Sequence, residues 1–196
     1  VCVPTGNFGN IFAAYIARLM GLPICRLVCA SNRNNILTDF LRTGTYDRNR
    51  HFYTTMSPSM DILISSNLER LLYTVAGAEK TAAYMRALGT DGKYTVDADV
   101  KAKIDESFLG YFCDEELTKK TIRDTFDTDH YLCDTHTAVG LAAARQYIAE
   151  HGGARKIVLA STASPYKFAN DVYTALTDKV ANDELAALSA LAAYSH

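Results

Sequence analysis

Apolar positions along this chain follow two rhythms. Val1-Cys2-Val3-Pro4, Ile24 to Ala30 and Lys156 to Ala160 are short and mostly apolar rather than alternating, which predicts strands buried on both faces. Phe8, Ile11, Phe12, Tyr15, Ile16, Leu19 and Met20 instead recur at helical spacing, and Gly21 and Pro23 end that helix. The opening therefore reads strand–loop–helix–strand, the unit from which parallel α/β folds are built. A second helix is predicted from about Asn35 to Arg42, ending near Gly44, and Tyr46 to Ser59 reads as a loop. Leu68, Leu71, Leu72, Val75 and Ala76 mark a third helix, Ala78 to Leu88 a weaker fourth, and Gly89-Thr90-Asp91-Gly92 a turn. The charged stretch 97–129 carries two helices around a short apolar piece, Phe108 to Cys113, and reads as a helical excursion on the surface. Further helices are expected at Thr137 to Glu150, Lys167 to Leu176 and Ala186 to Tyr194. The fold class expected is α/β, a parallel sheet flanked by helices, with a mostly helical insertion.

Composition narrows the function classes. With 196 residues, 48% hydrophobic and 21% charged, the chain can bury the core of one domain, or most of one. Its 20 basic residues against 22 acidic ones give a net charge of −2, which offers no field for nucleic acid or anionic lipid. The longest apolar runs, Leu22–Ala30 and Ile157–Ala160, are too short to span a bilayer, and no signal peptide is visible. Cys2, Cys25, Cys29, Cys113 and Cys133 form no C-x-x-C pair and are odd in number, so they read as buried free thiols of a reducing cytoplasm. Both ends look cut: the chain opens inside a strand, and the last helix stops at Ser195-His196 without a cap. The expectation is a fragment.

Two segments carry candidate chemistry. Gly6-Asn7-Phe8-Gly9-Asn10 lies between a strand's carboxyl end and a helix's amino end, where open α/β sheets bind ligands. Free amide groups and the helix dipole make such a turn receptive to phosphate without lysine or arginine, and glycine lets the backbone come close. A plain tight turn with an Asn cap would have the same spacing. Hydroxyls of Ser161-Thr162-Ala163-Ser164, at the end of another strand, could face the same crevice or merely cap the helix that follows. Lys167 reads as a surface charge unless the crevice buries it. Asp134-Thr135-His136-Thr137 could simply cap a helix, and His136 has no second ligand at metal spacing, so no metal site is expected. Asp39, Asp47 and Asp61 are scattered, with nothing pairing two of them as acid and base.

Longer stretches resemble the threonine synthase family: VPTGNFGN, CASNRNNILTDFLRTGTYDRN, SPSMDILISSNLERLL, DTHTAVG and ASTASPYKF, in that family's order and across nearly the whole chain. The resemblance implies a fold type II enzyme dependent on pyridoxal phosphate, a lyase turning O-phospho-L-homoserine and water into L-threonine and phosphate. It implies that residues 1–196 are the carboxyl-terminal part of the catalytic domain. The phosphate cup would map onto Gly6, Asn7, Phe8, Gly9 and Asn10, and the hydroxyl facing the pyridine nitrogen onto Thr162. A neutral partner there leaves that nitrogen mostly unprotonated, which favours elimination and replacement over transamination. The Schiff-base lysine would lie upstream, so no catalytic residue is expected in this chain, and the isolated chain is expected to be inactive and to self-associate. Another fold type II enzyme, such as a threonine or serine dehydratase, shares the cup, although SPSMDILISSNLERLL lies outside it. A non-catalytic binding remnant is the remaining alternative. Where many relatives carry His-Pro-Ala-Lys-Phe, this chain has Ser164-Pro165-Tyr166-Lys167-Phe168, and their Asp-Pro-His is Asp134-Thr135-His136 here.

Overall fold

The computed structural model describes residues 1–195, so the His196 end of the expected uncapped terminus lies outside the described residues. In chain order the elements are β1 (Cys2–Pro4), α1 (Gly9–Leu19), β2 (Leu27–Ser31), α2 (Ile36–Thr43), β3 (Thr45–Asp47), α3 (Leu68–Ala76) and α4 (Ala78–Asp91). There follow β4 (Lys93–Thr95), α5 (Ala98–Asp105), β5 (Phe108–Phe112), α6 (Glu115–Asp129), α7 (Thr135–His151), α8 (Ala169–Thr177) and α9 (Glu184–Ser195). Short 3-10 turns stand at Pro58–Met60 and Pro165–Phe168.

The sheet explains the continuous apolar runs. β1, β2 and β5 pair in parallel in the order β1-β2-β5. Val3, Leu27, Cys29 and Phe108 face one side, packing with Ile11, Tyr15, Phe40 and Leu71 from α1, α2 and α3. Cys2, Val28, Ala30 and Tyr111 face the other side, against Val139, Ala142 and Ala143 of α7. Both faces are covered, so alternation along each strand separates two apolar cores rather than core from water. A third cluster joins α6, α8 and α9 through Ile122, Val172, Ala175 and Leu191.

Several sequence expectations change here. The stretch 97–129 is not a surface excursion: β5 lies within it and pairs with β2 from Leu27↔Phe108 to Ser31↔Phe112. Charge on α5 and α6 disguises an apolar strand that only a sheet partner makes legible. β2 begins at Leu27 rather than Ile24, because pairing starts there, with Phe108 of β5 opposite Leu27 and Cys2 of β1 opposite Val28. The expected buried strand at 156–160 is reduced to one parallel bridge, Leu159 to Cys2, with Val158 64% exposed. Among the described residues it has a partner on one side only. α4 runs through Gly89 and ends at Gly92, whose φ of 72° supplies the left-handed stop. The expected loop after Tyr46 hides β3, which pairs antiparallel with β4 and stacks Tyr46 on Tyr94 at 5.4 Å. Cys25 is exposed, while the other four cysteines are buried free thiols, and burial pushes those four up to about 12.

One close approach sets the spacing of the site. Gly140 of α7 lies so near β1 that a Cβ there would stand 2.6 Å from Leu159 Cδ1 and 3.0 Å from Pro4 Cγ. Substituting Gly140→Ala is expected to destabilise by about 1–3 kcal/mol through overpacking. In contrast, Gly89→Ala, exposed within α4 with nothing around its Cβ, should stabilise by about 0.5–1 kcal/mol. Urea unfolding of the two variants against the wild type checks both signs.

Candidate functional site

β1 ends at Pro4, and the chain enters the glycine turn with Thr5 N–H still donating to Ala30 O at 2.8 Å. Phe8 then takes φ 65°, ψ 0°, the left-handed region that a bulky residue seldom occupies. Its ring is fully buried, 5.6 Å from Phe108, so packing holds a conformation that costs on the order of 1–3 kcal/mol. The same turn starts α1 without any side-chain cap and without an acidic residue in the first turn.

The peptide groups of the turn are sorted. Gly6 O accepts from Ser65 Oγ at 2.7 Å, and Asn7 O accepts from Asn67 Nδ2 at 2.8 Å and from Asn67 N–H at 3.1 Å. Those carbonyls are therefore held from behind. Among the described residues, the N–H groups of residues 6–11 donate to no protein acceptor. Unpartnered donors at a helix start, with the positive end of the helix dipole beneath them, form a site suited to an anion.

A pocket of about 280 Å³ opens over this turn. All six residues singled out as cofactor-binding candidates line it: Gly6, Asn7, Phe8, Gly9, Asn10 and Thr162. Lys167 lines it too, and is the only lysine or arginine that does so among the described residues; its side chain is exposed, with Nζ 5.4 Å from the Phe168 ring centre. Ser164 caps the Pro165–Phe168 turn, its Oγ accepting from Tyr166 N–H at 3.3 Å. No three His, Cys, Asp or Glu side chains come together as a metal site among the described residues.

Sequence reasoning missed the facing wall. Ser59, Met60, Asn67 and His136 complete the pocket. Gly6 meets that wall directly: a Cβ on it would sit 2.7 Å from Ser59 O and 3.0 Å from Met60 Cα. Only glycine allows this contact. The wall is tied to the end of β2 through Asp61, whose Oδ1 accepts from Asn32 Nδ2 at 2.8 Å, Asn34 Nδ2 at 2.9 Å and Thr55 Oγ1 at 2.7 Å. Asp61, set aside as scattered, is a buttress. Asparagines at a strand's end were the available signal for it.

Asp134 caps α7, Oδ1 accepting from His136 N–H at 2.8 Å and Thr137 N–H at 3.3 Å, while Thr137 Oγ1 donates to Oδ2. Burial alone would raise this carboxyl, but the hydrogen bonds from His136 and Thr137 outweigh it and hold the group below the ordinary carboxylate value. A depressed carboxylate adds stability that is complete above the unfolded value, about 3.9, and is lost as pH falls through the folded value. Asp134→Ala should cost about 2–4 kcal/mol near neutrality, from the lost cap and the donors left unpaired. Urea midpoints of the variant and the wild type should converge as the pH is taken from 6 towards about 2.

The fold and the placement of this pocket define an α/β protein with a parallel sheet and a pocket at the strands' carboxyl ends. Residues 137–194 match the family model described as "Threonine synthase, C-terminal". The chain is 40% identical over 187 residues to threonine synthase-like 1 of Homo sapiens, covering 93% of this chain and 25% of that one. It is 39% identical over 191 residues to threonine synthase of Saccharomyces cerevisiae, covering 89% of this chain and 37% of that one. Among solved structures, the pyridoxal phosphate-bound threonine synthase of Brucella melitensis superposes with a TM-score of 0.85 at 38% identity, covering 95% of this chain and 40% of that chain. Over nearly its whole length the chain is similar to threonine synthases and to a threonine synthase-like protein. It spans about a quarter to two fifths of the length of the relatives it matches.

Proposed function

We propose that this chain supplies the phosphate cup and the ring-nitrogen partner of a pyridoxal phosphate-dependent threonine synthase, acting on O-phospho-L-homoserine. One observation carries the reading: Gly6 to Asn10 and Thr162, far apart in sequence, line a single pocket in a chain 38% identical to a pyridoxal phosphate-bound threonine synthase. The residues fit the group. Unpartnered amides from Gly6 to Ile11 would hold the phosphate, and Gly6 leaves no space that a side chain could take. The Thr162 hydroxyl would face the ring nitrogen without protonating it. When bound, the cofactor withdraws electrons from the substrate's carbon skeleton, easing loss of phosphate and addition of water.

This chain's residues bind and orient; none of them is assigned the covalent step. The Schiff-base lysine belongs to the amino-terminal part of the enzyme, which makes that part the functional partner. A lyase acting on a phosphate ester is therefore the activity of the whole enzyme, in a cytoplasmic setting that suits four buried, unpaired thiols. No helix among the described residues is long and apolar enough to cross a membrane. Leu19, Met20, Leu22 and Val158 are 58%, 83%, 55% and 64% exposed, an apolar surface that favours self-association of the isolated chain. Sedimentation at high concentration should show dimers or larger species; a monodisperse monomer would contradict this.

Pyridoxine 5′-phosphate, which has no aldehyde to label surface lysines, tests the site. Saturable binding to this chain, competed by inorganic phosphate and lost in Gly6→Ala, is expected. No saturation at about 10 mM ligand would overturn the reading, since even a weak cup should reach millimolar affinity. The isolated chain should form no threonine from O-phospho-L-homoserine, and turnover by it would refute the assignment of the lysine elsewhere.

A further inference from the structure

The first turn of α7 contributes only His136 to the pocket lining, yet it touches both arms of the site. His136 is 4% exposed, and its Nε2 accepts a hydrogen bond from Ser59 N–H at 3.2 Å. An accepting Nε2 leaves the ring proton on Nδ1, which stands 3.2 Å from Asp134 Oδ1 and 3.3 Å from Thr135 Oγ1. The Asp134 carboxylate beside Nδ1 favours the tautomer that Ser59 requires. Ser59 O in turn abuts Gly6, so the position of the wall sets the shape of the cup. On the other side, Thr137 spends its hydroxyl proton on Asp134, and its Oγ1 therefore accepts from Ser161 Oγ at 3.2 Å. Ser161 is the residue before Thr162.

We propose that His136 and Thr137 are positioning residues, locked by the one Asp134 carboxylate, that set the phosphate cup and the Thr162 arm in register. His136 acts on the cup through Ser59, and Thr137 acts on Thr162 through Ser161. The proposal rests on the pyridoxal phosphate reading for what the register serves, but the two contacts can be tested without any ligand. Neither residue has to touch the ligand for this role. The capping of α7, by contrast, needs only Asp134 and the backbone N–H groups, and would survive loss of either side chain.

Side-chain reach separates positioning from structural support. Glutamine at 136 can place its amide oxygen where Nε2 stands, whereas asparagine reaches only as far as Nδ1. In the free protein, followed by amide resonances, His136→Asn should shift the Gly6 and Asn7 signals and speed hydrogen exchange at Ser59 about tenfold, the loss of one hydrogen bond. His136→Gln should restore both. Thr137→Val should move the Ser161 and Thr162 signals but leave Gly6 in place, with Thr137→Ser restoring them. Pyridoxine 5′-phosphate should bind about tenfold more weakly to His136→Asn and Thr137→Val, whereas inorganic phosphate should weaken only in His136→Asn. Equal effects of Gln and Asn at 136, or Gly6 signals unmoved in both, would overturn the proposal. Should His136→Asn fail to fold, His136→Gln decides, since a shifted Gly6 signal in that variant also refutes it. If the wild type binds neither ligand, the cofactor reading fails, while the amide signals still judge the positioning.

Discussion

A parallel sheet delivers the carboxyl ends of all its strands to one side, and how closely those ends can gather depends on the helix laid across them. Here that helix is α7, and Gly140 is the point of closest approach, leaving no room for a methyl group between the helix, Pro4 and Leu159. Small residues continue the contact through Ala142 and Ala143. Their short side chains let the helix axis sit near the strands, so the turn after β1 and the loop after Leu159 open into one pocket. A bulkier helix face would lift α7 and draw Thr162 away from the glycine turn. The site's geometry is a consequence of packing on the opposite face of the sheet.

Much of this was legible in the chain. The strand–turn–helix opening, the helices α2, α3, α7 and α8 and the class of fold follow from apolar period and from glycine stops, signals that local physics fixes. The six cofactor candidates share one pocket because five lie in the turn and helix start after β1 and Thr162 follows the bridge that Leu159 makes to that same strand. What escaped was structure that exists only through partners. β3 and β4 are three residues each, and an antiparallel pair so short is stabilised by Tyr46, Tyr94 and Phe40 packing together, not by its own pattern. β5 hides between two charged helices until β2 pairs with it.

The wall of the pocket was invisible for a related reason. Ser59 and Met60 are unremarkable in sequence, and their position is decided by Asp61, Asn32 and Asn34 on one side and by His136 on the other. Those residues are separated by up to 104 positions, from Asn32 to His136. Long-range polar networks leave no periodic trace, because each member satisfies hydrogen-bonding valence and not amphipathic spacing. Asp134-Thr135-His136-Thr137 looked like an ordinary helix start, and its cap is real; its further contacts needed coordinates.

The electrostatics of the pocket follow from the same economy of charge. Its floor offers backbone amides and a helix dipole, its wall the Ser59 carbonyl, the His136 imidazole and the Asn67 amide, and its rim, among the described residues, a single lysine. Dipoles fixed by packing need no reorganisation when an anion arrives. That demands rigidity in place of charge. The left-handed Phe8, the carbonyls pinned by Ser65 and Asn67, and the wall pressed on Gly6 all restrict how those amides can turn. Binding strength in such a site is therefore governed by how firmly the surrounding fold holds the backbone, which is why the contacts behind the cup matter as much as the cup itself.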